Sequence, residues 1–163
     1  MIVAYTGIIF VSTYFGYLIA RKYKDRYEVY KELYDLLSFY KYEVCYSQKK
    51  LYEIVKMFYA QKTKDYLILS DFIEYLQRGK YLANKYKYKS KIECLTIEEI
   101  NQIENILNSL GNYDVVQENA KVEKDLTFLS DKLKKTNDEK VKYYNLYIKI
   151  GVIVGSFIVI LIL

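Results

Sequence analysis

The chain has 163 residues, room for one domain and its anchors, with a formal net charge of +5, 21 tyrosines, and no histidine, proline or tryptophan. Without histidine there is no Ser-His-Asp or Cys-His pair and no imidazole metal ligand, and two cysteines, Cys45 and Cys94, do not make a structural zinc site. All 20 acidic residues and all but Lys149 of the 25 basic ones lie between Arg21 and Lys142, a mixed surface unlike the concentrated basic field of a nucleic-acid binder.

The first element is uncharged from Ile2 to Ala20. As a helix it spans about 28 Å, the thickness of a hydrocarbon core. Arg21, Lys22, Lys24 and Arg26 follow it, which places that side in the cytoplasm and argues for a retained anchor. A signal peptide carries its positive charges ahead of the apolar run instead. Ser12 and Gly16 form a small-xxx-small spacing that lets another membrane helix approach.

Helical periodicity continues beyond the apolar run. Tyr23, Tyr30, Leu37 and Val44 recur every seven residues, with Tyr27, Leu33 and Tyr40 filling the turns, so the first helix is expected to reach about Tyr46. Ser47 can cap a second helix over Gln48–Ala60, with Leu51, Ile54, Val55 and Phe58 inward. A third is expected from Thr63 or Lys64 to Gln77, with Tyr66, Leu67, Leu69, Phe72, Ile73 and Leu76 apolar and Gly79 closing it. Lys80 to Lys91 holds five lysines, three tyrosines and no acid. A solvated loop, a surface drawn to anionic lipid and a nucleic-acid stacking strip all fit that composition.

Thr96 and Glu99 form a capping box for a fourth helix striped by Ile100, Ile103, Leu107 and Leu110 and ended by Gly111. Asp114 is placed to cap the last helix, and Gln117 completes a second box. The two helices then form an antiparallel hairpin, the unit of a bundle. From Asp114 the pattern reads as one long helix or two nearly collinear ones. Val115, Val122, Leu126, Leu129 and Leu133 make its inward stripe, which fades through a stretch, Lys134 to Lys140, polar on every face. Tyr143, Tyr144 and Tyr147 then sit where an interfacial aromatic belt belongs. The run from Leu146 to Leu163 is long enough to span if Lys149 snorkels. Gly151 and Gly155 make a GxxxG there.

No Walker A, GxGxxG or HExxH motif is present, and the acid pairs Glu98/Glu99 and Asp138/Glu139 lie at a helix start and on the polar stretch. Nothing activates a nucleophile or holds a cofactor. The residues describe an all-α, membrane-anchored antiparallel bundle with a transmembrane helix at each end. The division is 1–20, 21–145 and 146–163, with the middle cytoplasmic and both termini across the membrane. Such a module works by contact, with the lipid bilayer as one partner, self-association left open, and no nucleic acid or cofactor expected.

The layout resembles the stage III sporulation protein AB family. The resemblance is carried by Gly16 to Arg21, by Leu36 to Tyr46 followed by Leu51, and by Leu95-Thr96-Ile97-Glu98-Glu99 leading to Leu110-Gly111-Asn112-Tyr113-Asp114-Val115-Val116-Gln117. The chain departs from the family's common pattern at Asn112 and Tyr113, at Lys50 in place of a proline, and in lacking the tryptophan. The resemblance implies a part in the channel between mother cell and forespore, seated in the outer forespore membrane. It also implies a domain similar to the cytoplasmic helical domains of type II secretion and type IV pilus platform proteins. The partners it implies are other stage III channel proteins, among them the secretion-type AA ATPase. A platform subunit of a secretion or pilus machine outside sporulation and a membrane-surface binding module are the alternatives. Glu43, Gly111, Asp114 and Gln117 are the candidate contact residues, each with a structural role as its plainer reading: caps for Gly111 and Asp114, bundle polar pairs for Glu43 and Gln117.

Overall fold

The computed structural model describes residues 2–46, 49–61, 68–78, 94–112 and 114–162, with the side chains of 2–4, 45 and 46 left aside. Ser47 as a cap, the start of the third helix at Thr63 or Lys64 with Tyr66 and Leu67, Gly79, the lysine-rich Lys80 to Lys91, Tyr113 and the side chain of Cys45 lie outside the described residues. Among those described, every element is helical: α1 Ile2–Tyr46, α2 Leu51–Gln61, α3 Leu69–Gln77, α4 Ile97–Ser109 and α5 Val115–Ile162. α1 and α5 are unbroken for 45 and 48 residues. Neither contains proline, the usual cause of a kink.

The chain divides into two compact units, 1–28 with 133–163, and 29–132. In the second, α1 contributes Val29, Tyr30, Leu33, Leu36, Leu37 and Tyr40 to the core. These spacings of three and four keep one face inward. Ile54, Val55 and Phe58 of α2, Leu69 and Phe72 of α3, and Ile103, Ile106 and Leu107 of α4 complete it with Val122 and Leu129 of α5. Phe39 and Phe58 pack with ring centres 5.6 Å apart. α2 begins at Leu51, three residues later than the periodicity suggests, with the amides of Glu53 and Ile54 bonded to the Lys50 carbonyl.

The stripe of α5 begins differently from expectation. Val115 is 52 % exposed, and the first buried position is Glu118. The first turn of α5 has just left the α4–α5 turn, and the inward position at that level is taken by a carboxylate with bonds to make.

In the first unit, α1 and α5 run antiparallel, since Ile9 lies against Gly155 and Gly16 against Gly151 and Tyr147. Burial follows a narrow line through Gly16, Ala20, Gly151 and Gly155, while Phe10, Val11, Phe15, Ile153, Phe157 and Ile160 face outward. Among the described residues α5 carries a stretch long and apolar enough to cross a membrane, and only 11 % of it is buried. The stretch expected to be polar all round is buried at Thr136, whose hydroxyl donates to the Leu133 carbonyl at 3.1 Å.

Candidate functional site

The α4–α5 turn is assembled from three kinds of local chemistry. Gly111 has φ of +71°, the left-handed region where a side chain is strained. A Cβ there would meet only ordinary contacts, the nearest being Leu51 at 3.6 Å, so the backbone angle and not space calls for glycine. Asp114 Oδ1 accepts from the Gln117 amide at 2.8 Å, the N-cap bond of α5. Gln117 itself is exposed.

Glu118 ties this turn to α1. Its Oε1 accepts from the Gly111 amide at 2.7 Å and from the Tyr40 hydroxyl at 2.9 Å, and the residue is 3 % exposed. A buried carboxylate is tolerated where donors converge on it. Burial, and then the hydrogen bond to Glu118, push the Tyr40 phenol well above its ordinary value, so it stays a donor.

The same device occurs twice more. Glu99 closes the predicted capping box, with its own amide bonded to Thr96 Oγ1 at 3.3 Å and its Oε2 accepting from the Thr96 amide at 3.1 Å. Its Oε1 accepts from the Tyr30 hydroxyl at 2.9 Å, and Lys132 Nζ lies 3.8 Å away. Glu32 of α1 accepts from the amides of Ile68 and Leu69 at 3.2 and 2.8 Å, supplying the cap that Ile68 cannot. Glu43 is placed elsewhere: it pairs with Lys49 of the α1–α2 connection at 3.2 Å. The turn thus unites Gly111, Asp114 and Gln117 with Glu118 and with Tyr40, which the periodicity places in the α1 stripe but not among the candidate contact residues. Glu118 was legible in one respect, since it stands four and eleven residues before Val122 and Leu129 on the buried line.

The second cluster unites Ser12, Gly16, Gly151 and Gly155. Ser12 Oγ donates to the Gly151 carbonyl at 2.7 Å. A Cβ on Gly16 would fall 2.5 Å from the Tyr147 carbonyl oxygen, one on Gly151 2.8 Å from that of Ser12, and one on Gly155 2.9 Å from the Ile9 Cα. The obstacles are backbone atoms, so the helices touch main chain to main chain. Toward the polar side, Tyr23 packs on Tyr143 and Tyr147 with centroids 5.1 and 5.7 Å away. A hydrogen bond with the Tyr147 hydroxyl, then desolvation, raises the Tyr23 phenol. Arg26 meets Glu139 at 2.7 Å, and Lys140 Nζ lies 4.1 Å over the Tyr27 ring.

Neither cluster holds a reactive group beside a base, and among the described residues no group of three His, Cys, Asp or Glu can hold a metal ion. Cys94 is half-buried and is not in a disulfide. Both clusters fix helices against one another. A family model described as stage III sporulation protein AB matches residues 1–163. No curated protein and no solved structure matches the chain.

Proposed function

The chain belongs to the stage III sporulation protein AB family, and from that premise we propose that it is a non-enzymatic membrane scaffold of the mother cell–forespore channel. Membership gives it a role in sporulation. The finer reading is that it couples a cytoplasmic secretion-type ATPase, the AA protein, to the channel in the outer forespore membrane.

The observation that carries this reading is the close pairing of the two apolar ends, Ser12 and Gly16 against Gly151 and Gly155. In a bilayer an antiparallel helix pair would return the chain to the side it left and keep the polar residues together, which supports both ends crossing one membrane. Arg21 and Lys22 after the first run, and Lys140 and Lys142 before the second, support a cytoplasmic position for that side. The outward Phe10, Val11, Phe15, Ile153 and Phe157 suit lipid. α1 and α5 leave the apolar pair without a break, and stiff elements of that kind can carry an applied load into the membrane. The turn at Gly111 to Gln117 is the surface offered to a partner, held by the Glu118 and Tyr40 bonds.

Expression should rise after engulfment begins, and deletion should arrest cells with engulfed but undeveloped forespores. Transcript timing across sporulation and microscopy of the deletion strain check this. Constant expression with normal spores would point to a secretion or pilus role instead.

A further inference from the structure

In the first unit the small hydroxyls find carbonyls. Ser12 donates to Gly151, Thr13 to Ile9 and Ser156 to Val152, at 2.7, 2.7 and 2.9 Å. Tyr14 and Tyr17 do not share in this: among the described residues neither hydroxyl has a hydrogen bond, and the residues are 60 % and 41 % exposed. A phenol is too long and rigid to bend back to its own helix as a serine does. Phe10, 77 % exposed, lies four residues before Tyr14 and seven before Tyr17, so the three share one face.

The depth of Tyr14 makes this unusual. It stands seven residues before Arg21, roughly 10 Å below the headgroup boundary of a membrane helix. Helical side chains tilt toward the N-terminus, here away from the Arg21 side, so the phenol is carried toward the midplane and cannot snorkel back. A hydroxyl left in hydrocarbon without a partner is costly.

We propose that the Phe10–Tyr14–Tyr17 face of α1 docks on the same face of a second copy of this chain inside the bilayer. The proposal rests on reading residues 2–20 as a membrane helix. All copies inserted with one topology have parallel α1 helices, so identical residues meet at identical depth about a two-fold axis. A phenol both donates and accepts, and Tyr14 of one copy and Tyr14 or Tyr17 of the next satisfy one another. A different protein would need an acceptor at that depth by its own sequence; the second copy brings it automatically. This seam lies on a different side of α1 from Ser12 and Gly16, which are already occupied by α5.

The test uses the full chain in membranes, with Cys45→Ser and Cys94→Ser and single cysteines introduced. Phe10→Cys and Tyr17→Cys should each give an oxidised species of twice the mass. Phe15→Cys, 61 % exposed but on another side, should not. Adding Tyr14→Phe to Phe10→Cys should lower the yield roughly three- to tenfold, the scale of one or two interhelical hydrogen bonds in a membrane. A water-soluble maleimide applied before oxidation should reach none of the three cysteines. Cross-linking no stronger at Phe10 and Tyr17 than at Phe15, cross-linking only to a different protein, or a yield indifferent to Tyr14→Phe would each overturn the self-pairing while maleimide exclusion leaves the membrane reading standing. Rapid maleimide labelling of Phe10→Cys would overturn the membrane reading and the self-pairing with it.

Discussion

Tyr40, Gly111, Asp114 and Glu118 meet at one turn and differ in how visible each is in the sequence. Gly111 and Asp114 act through the backbone within three residues of themselves, so residue type and spacing disclose them. Replacing Asp114 with alanine should cost about 1 kcal/mol of stability, as loss of an N-cap does, readable in urea or thermal unfolding of the full chain in detergent. Glu118 acts through Tyr40, seventy-eight residues away, and no local pattern announces such a partner. A glutamate at a buried position looks from the sequence like a gap in the stripe.

Tyr40 also carries a pH prediction. Its folded phenol lies above the unfolded value near 10, so its contribution is complete below about pH 10 and is lost as pH rises toward the folded value. Tyr40→Phe should therefore be less stable at pH 7, by roughly 1 to 3 kcal/mol for the unmet Glu118 bond, with the difference from wild type shrinking above pH 10. A difference constant from pH 7 to 11 would remove the Tyr40 hydroxyl from the account.

Among elements, the long helices were the most legible. Unbroken apolar and heptad spacing with no proline leads directly to α1 and α5, and the Thr96 box marks the start of α4. The errors sit at ends and phases. Val115 continues the spacing of the stripe, yet the turn before it leaves its side chain outside. Thr136 is buried within a stretch whose residue types read as polar on every face. α2 starts late because the Lys50 carbonyl receives its first amides.

The α1–α5 crossing is where an element-scale prediction has most force. Gly151→Leu puts a branched side chain where even a Cβ meets the Ser12 carbonyl oxygen at 2.8 Å, and the backbone cannot yield. The pair should separate, and cysteines placed at Tyr23 and Tyr143, whose rings lie 5.1 Å apart, should no longer be joined by a short bifunctional cross-linker. Gly7→Leu, where a Cβ has open space, should leave that cross-link in place. Equal yields in the two variants would deny that close backbone contact holds the pair.

At the scale of the whole molecule, the sequence discloses two apolar ends around a polar middle but not that the ends choose each other. Small-xxx-small spacings state that a close approach is allowed and leave the partner open; Ser12 and Gly16 are supplied with Gly151 and Gly155 only by three-dimensional packing. Contact therefore divides the chain by pairing, 1–28 with 133–163, where hydropathy divides it into three consecutive pieces. The scaffold reading joins that pairing to the family membership.

Affinity purification of the tagged chain from detergent-extracted membranes of sporulating cells tests that reading most directly. The account predicts that the chain is recovered from the membrane fraction together with the secretion-type ATPase of the channel. Recovery of the intact chain from the high-speed supernatant, or from membranes without the ATPase under conditions where other channel proteins stay associated, would contradict it.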